Sequence, residues 1–292
     1  MTHVSGAQTN KTDQMGQGTS AASPQEGGSG EESFRRFDLA TQRDEALRAA
    51  QAAVGAGQNI VLPTDTVYGI GADAFSADAV QGLLNAKHRG RDMPPPVLIA
   101  EPAMLPALVS SIPLGAERMI KECWPGALTL ILNAATALHM DLGETAGTIA
   151  VRVPDNDDAR ALLLHTGPLA VSSANISGQP SATDVGAAIA MLGDSVAVYL
   201  DGGRTPGPVA STIVDFTVSP AGRILRQGVI GFDQLEGLSP GLEDLVTEQV
   251  QADQAAAATP PSSSPDAPSG SGPSGTPDSS ADAGAGSGSG QD

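Results

Sequence analysis

The 292-residue chain sets 15 lysines and arginines against 33 aspartates and glutamates, for a formal net charge of -18, and carries one cysteine and four histidines. A charge of that sign argues against a protein held on nucleic acid or an anionic bilayer by bulk electrostatics. One cysteine excludes an intramolecular disulfide and a cysteine-based zinc site, and the scattered histidines show no ligand spacing.

Length overcounts the domains. Residues 251–292 are Gly, Ser, Ala or Pro at 32 of 42 positions, with five Asp and no Lys or Arg, too little apolar surface to offset the entropy of ordering. Residues 1–33 also lack an apolar period. Disordered termini are expected at 1–33 and 251–292, around one folded domain at 34–230 and a C-terminal helix or lid at 231–250. No apolar run approaches the roughly 20 residues of a membrane span, and the polar N-terminus lacks the features of a signal peptide. No membrane association and a cytoplasmic location are expected.

In chain order, Thr41 can cap a helix over 41–54, stopped by Gly55 and Gly57. A short buried strand follows at 60–62. Ser76 can cap a helix at 77–86, before strand-like 96–99. Helices are expected again near 103–109 and 116–123, then strands at 128–132 and 148–153. A helix at 157–164 and a strand at 169–172 come next, then a helix at 183–192 and strands at 196–200, 211–215 and 223–225. The alternation predicts an α/β fold with a mostly parallel or mixed sheet.

Candidate chemistry gathers where polar, small and basic residues interrupt these runs, since strand ends carry the sites of α/β sheets. Residues 63–71, PTDTVYGIG, bring hydroxyls, a carboxylate and a phenol beside glycines that admit close approach. Lys87, Arg89 and Arg91 suit either a solvated helix end or a polyanion clamp, because Arg offers a bidentate fork and Lys a point charge. Arg152, alone in an apolar strand, either snorkels outward or meets a carboxylate from protein or ligand. The run 171–181, VSSANISGQPS, makes either ordinary Asx and Ser turns or a phosphate cradle. STIVD at 211–215 and ILRQG at 224–228 add a hydroxyl pair and another isolated Arg.

Taken as an ordered set, PTDTVYGIG, K-x-R, WPGALTLIL, TIAVRVP, SSANISG-x-PS, STIVD and ILRQG resemble the YrdC-like family of threonylcarbamoyl-AMP synthases, in its single-domain form. The resemblance covers about residues 37–228. It implies a twisted mixed sheet with helices on its faces around a deep basic cavity. It also implies condensation of L-threonine, bicarbonate and ATP, as its Mg2+ complex, to threonylcarbamoyl-AMP and pyrophosphate. The product would pass to a tRNA threonylcarbamoyl transferase that modifies adenosine next to the anticodon, with tRNA contact by this chain weak or indirect. Two alternatives are a non-catalytic RNA-binding module using the same cavity, and a carbamoyl-adenylate-forming domain of a hydrogenase maturation factor. The acidic chain and the absence of the accompanying zinc-finger and acylphosphatase segments weigh against them.

Carried over by the resemblance, Thr66 contacts threonine, Arg152 meets its carboxylate, and Ser211 or Thr212 closes the amino-acid pocket. Lys87, Arg89 and Arg91 form the triphosphate clamp, Lys87 and Arg89 being catalytic. Thr148, Ser173, Asn175, Ser181 and Arg226 face the nucleotide. Tyr68 walls the pocket or packs, and Trp124 belongs to the core. The sequence departs from the family in three places. The loop at 90–96 is about two residues longer, so Arg89 or Arg91 can take the motif position. Ala100 replaces a histidine that touches threonine in some relatives, and Ser172 stands where many have Pro. A chain truncated after Val250 is expected to keep its full pyrophosphate-releasing activity; a large loss would show that the tail covers the site.

Overall fold

The computed structural model describes residues 34–246; the expectations for 1–33, 247–250 and 251–292 lie outside the described residues. Strand β1 (Arg35–Asp38) leads directly into helix α1 (Leu39–Gly55). The helix starts earlier than Thr41 predicts, because Asp38 is the cap, its carboxylate accepting from Ala40 N at 2.8 Å. Next come β2 (Ile60–Leu62), β3 (Gly69–Asp73) and helix α2 (Ala77–Ala86), the last capped by Ser76 as expected. Strand β4 is only Val97–Leu98, and the helix expected near 103–109 is a 3-10 turn, Pro102–Ala107, with prolines at both Pro102 and Pro106. Helix α3 (Leu114–Cys123), β5 (Leu128–Asn133), β6 (Thr148–Arg152), α4 (Asp157–Thr166) and β7 (Leu169–Ser173) follow. Helix α5 (Val185–Leu192), β8 (Val198–Asp201), β9 (Thr212–Asp215), β10 (Arg223–Arg226), a short α6 (Phe232–Glu236) and β11 (Glu243–Asp244) complete the described chain.

The strands form one sheet in the order β1-β8-β2-β3-β7-β4-β6-β5-β9-β10-β11. Pairs such as β2/β8, β4/β6 and β5/β9 are parallel, whereas β2/β3, β3/β7, β4/β7, β5/β6 and β9/β10 are antiparallel, so the sheet is mixed. Both faces are covered. Val61 and Ile70 point into one core cluster with α2 and α3, while Ile60 and Leu62 point into another with Leu47, Ala50 and Val54 of α1 and Leu162 and Leu163 of α4. That division is the two-residue side-chain period of a strand buried on both sides.

Strand β3 is the element the sequence pattern conceals, since GIGAD reads as a turn. Its glycines are what allow it to pair. A Cβ on Gly69 would lie 2.6 Å from Val171 Cγ1, so the space a side chain would take is filled by β7. Strand β1 is likewise a charged segment, ordered by parallel pairing to β8. The segment after β10 folds as α6 and β11, with Leu235 and Leu242 buried in the larger core cluster.

Gly228, just past β10, packs against the backbone of residues 210–212. A Cβ there would fall inside contact distance of Ala210 O, Ser211 C and Thr212 N. Gly228→Ala is therefore expected to destabilise the fold by about 1–3 kcal/mol, as overpacking does. The check is a lower urea midpoint at unchanged m-value.

Candidate active site

A cavity of about 350 Å3 opens over β6, β5 and β9, walled by the β2–β3 connection, the loop after α2 and the turn after β7. Strand register explains what it presents. Val151 and Leu130 pair across β6 and β5 and belong to the core cluster on one face, so Arg152 and Thr129 turn to the other. Thr129 is paired with Ile213 of β9, and Ile213 with Arg226 of β10. Arginines thus flank a row of small and hydroxyl side chains.

Arg152 is anchored through three nitrogens. Its Nε donates to Gly126 O at 2.8 Å, Nη1 to Thr66 Oγ1 at 3.0 Å and Nη2 to Asp65 Oδ1 at 2.6 Å. Thr66 is held in turn by Thr64, whose hydroxyl lies 3.1 Å away and donates to Val67 O at 2.6 Å. Burial pushes the Arg152 pKa below its usual value and Asp65 opposes that shift.

Arg226 reaches Ser211 with Nε and Nη2, at 3.1 and 2.8 Å from the carbonyl oxygen and 3.1 Å from the hydroxyl. The Ser211 hydroxyl is 2.8 Å from that of Thr129. Burial lowers the Arg226 pKa, and the charges of Arg152 and Arg89 lower it further. Arg89 donates from Nη1 to Ser172 Oγ at 3.0 Å, and its Nε is buried without a protein partner among the described residues. Three guanidiniums therefore share one hollow, and none of the described residues lining it is acidic. Such a site attracts a polyanion.

Of the expected site residues, the cavity brings together Thr66, Arg89, Thr148, Arg152, Ser173, Ser181, Ser211 and Arg226. Four others stand outside its lining. Arg91 is part-exposed, bonded to Gln81 at 3.1 Å and ion-paired with Asp141, so Arg89 alone of the two faces the cavity. Thr212 is fully buried with its hydroxyl donating to Ile230 O at 2.7 Å, which leaves Ser211 as the member of that pair in the pocket.

Lys87 and Asn175 sit behind the wall. The Lys87 ammonium donates to Ser173 O, to Asn175 O at 2.6 Å and to Asn175 Oδ1 at 3.3 Å, while Asn175 Nδ2 donates to Ile176 O and Gln179 O. Together they tie the end of α2 to the turn carrying Ser173 and Ser181.

Tyr68 both lines the cavity and packs, its hydroxyl donating to Gly203 O at 2.6 Å and its pKa pushed up to about 12 by burial. Trp124 is core, donating to Leu128 O at 2.7 Å. The sequence marked Thr64 only as one hydroxyl of the 63–71 run and did not single out Thr129. Thr129 was open to discovery, because alternation along LTLIL places it opposite the buried leucines.

Residues 52–228 match the family model described as Telomere recombination, Sua5/YciO/YrdC. A Mycobacterium tuberculosis H37Rv protein, provisionally named as a threonylcarbamoyl-AMP synthase, is 48% identical over 201 residues, covering 68% of this chain and 92% of that one. The threonylcarbamoyl-AMP synthase of Pyrococcus abyssi is 36% identical over 191 residues, covering 65% of this chain and 56% of its own length. Among solved structures, P. abyssi Sua5 complexed with L-threonine superposes with a TM-score of 0.68 at 32% identity, covering 72% of this chain and 62% of that one.

Burial, then the charge of Arg89, brings the Lys87 pKa down from 10.5 to about 8. Between about pH 8 and 10.5 the unfolded chain keeps a proton that the folded one has lost, so stability is expected to rise with pH across that window. Denaturant midpoints measured against pH should show this rise in the wild type and lose it in Lys87→Met.

Proposed function

We infer the chemistry from one premise, that this chain belongs to the Sua5/YciO/YrdC family. It is an enzyme that makes threonylcarbamoyl-AMP, using threonine and ATP. The observation that carries the assignment of residues is the convergence of three arginines on an acid-free cavity in a chain of net charge -18.

Arg152 takes the threonine carboxylate, with the Thr66 hydroxyl beside it. Ser211 and Thr129 border the same end. Arg89 and Arg226 hold the phosphates, Ser173 and Ser181 supply neutral donors toward the nucleotide, and Thr148, whose hydroxyl donates to Thr145 O, offers it an acceptor oxygen. Bicarbonate and the threonine amine give a carbamate and water; a carbamate oxygen then forms a bond to the α-phosphorus as its bond to the pyrophosphate oxygen breaks. No protein nucleophile is required. The pocket's contribution is to orient the two substrates and to stabilise the charge on the transferring phosphorus, which rigid guanidiniums do without reorganising. ATP would bring Mg2+ on its phosphates as the substrate complex, since none of the described residues lining the cavity is a carboxylate. Lys87 and Asn175 act by shaping the turn that bears Ser173. The acidic body makes any tRNA contact weak, and the product passes to a transferase that modifies tRNA.

Purified protein is expected to release pyrophosphate only when threonine, bicarbonate and Mg-ATP are all present; threonine-independent release would overturn the assignment. Arg152→Ala should raise the threonine KM by an amount equivalent to roughly 2–5 kcal/mol, as for loss of one partner of a buried charge pair. The measurement is initial velocity against threonine at saturating ATP. An unchanged KM in a folded variant would remove Arg152 from that role.

A further inference from the structure

The reaction assigned above uses Arg152 and leaves Asp65, its ion-pair partner, without a part. Asp65 does not line the arginine cavity. It borders a second hollow of about 610 Å3, together with Gly126 and Asp155. The side chains of Arg152 and Asp65 are 7% and 14% exposed, so the pair forms part of the partition between the two hollows.

The carboxylate is itself fixed. Asp65 Oδ1 accepts from Arg152 Nη2 at 2.6 Å and from the backbone N–H of Asp155 at 3.0 Å. That second bond ties it to the segment where the chain leaves β6, two residues beyond Val153. A guanidinium has five N–H donors. Arg152 commits one to Gly126 O, one to Thr66 Oγ1 and one to Asp65 Oδ1. One hydrogen on each terminal nitrogen is left over. Anchors on all three nitrogens define the plane of the group, and of the three only the Asp65 bond joins two charged partners.

We propose that Asp65 is a positioning residue, which holds the Arg152 guanidinium so that its two uncommitted N–H groups meet the substrate's carboxylate. This rests on the reading that Arg152 takes the threonine carboxylate. The sign of the effect separates positioning from charge. As a bare charge Asp65 opposes the binding of an anion, so acting through charge alone its removal would tighten threonine binding. As a support, its removal weakens binding.

The test is pyrophosphate release by the full chain, with threonine varied at saturating ATP and ATP varied at saturating threonine. Asp65→Ala is expected to raise the threonine KM about tenfold or more, the size of a lost charge-assisted hydrogen bond, and to leave the ATP KM within about twofold. Asp65→Asn keeps an acceptor oxygen for both donors and removes the charge, and is expected to restore the threonine KM. Should Asp65→Ala fail to fold, Asp65→Ser replaces it, being too short to reach the guanidinium. An unchanged or lowered threonine KM in the short variant, an equal rise in both KM values, or an Asp65→Asn protein no better than the short variant overturns the proposal.

Arg152→Ala distinguishes the two levels. If it leaves threonine KM unchanged, the reading of Arg152 itself falls; if it raises KM while Asp65→Ala does not, only the positioning role falls. On the Arg152→Ala background, Asp65→Ala is expected to add nothing further, and additivity would count against the proposal.

Discussion

Removing three guanidiniums from bulk water and setting them around one hollow is the constraint on which the rest of this structure turns. Each loses hydration that must be replaced. Arg152 is the most deeply buried, and among the described residues it alone of the three has a carboxylate, Asp65, within an ion-pair distance. Arg226 is met by the carbonyl and hydroxyl of Ser211, and Arg89 by the hydroxyl of Ser172. Neutral acceptors satisfy hydrogen bonds without cancelling charge. The hollow therefore keeps a net positive field, while the acids among the described residues lie outside its lining. Placed this way, the field is available to a ligand of opposite sign and to little else.

The sheet supplies what such a field requires, which is rigidity. Arg152 and Arg226 both end strands, and the small residues around them bring backbones close enough to act as acceptors. Gly228 lets the chain after β10 lie against the 210–212 backbone, and its N–H donates to the buried Thr212 hydroxyl at 3.0 Å. Thr212 thereby holds the segment from which Ser211 faces Arg226. Gly69 does the same for β3 against Val171. The buried Lys87 braces the turn after β7 from behind, at the expense of a pKa displaced to about 8.

Much of this was legible in the sequence, and the exceptions have physical causes. Buried strands such as Ile60–Leu62 and Leu128–Asn133 announce themselves because burial on one or both faces forces an apolar pattern. Strand β3 does not, because its sequence is shaped by what its neighbours insert into it. Eight of the residues marked by the polar interruptions at strand ends line one cavity. The interruptions did not distinguish residues that line the cavity from residues that hold its wall in place. Lys87, Asn175 and Thr212 are cationic or polar like their cavity-lining neighbours but stand on the other side of the wall. Arg89 and Arg91, two positions apart, diverge for a similar reason: one meets Ser172 over the cavity and the other reaches outward to Gln81 and Asp141.

The hydroxyl-rich lining follows from the same electrostatics. A carboxylate among these arginines would neutralise the field and repel the phosphates, and a general base is not needed if the attacking group is already an anionic carbamate. Hydroxyls such as those of Ser173 and Ser181 can donate or accept as the ligand demands, so they adjust hydrogen bonding while leaving the charge distribution untouched. Asp65 fits this rule by standing on the far side of Arg152, where its carboxylate can orient a cation without entering the space the substrate anions would occupy. The guanidiniums are also held differently: among the described residues Arg152 has anchors on all three nitrogens, whereas Arg89 has one, the Ser172 hydroxyl.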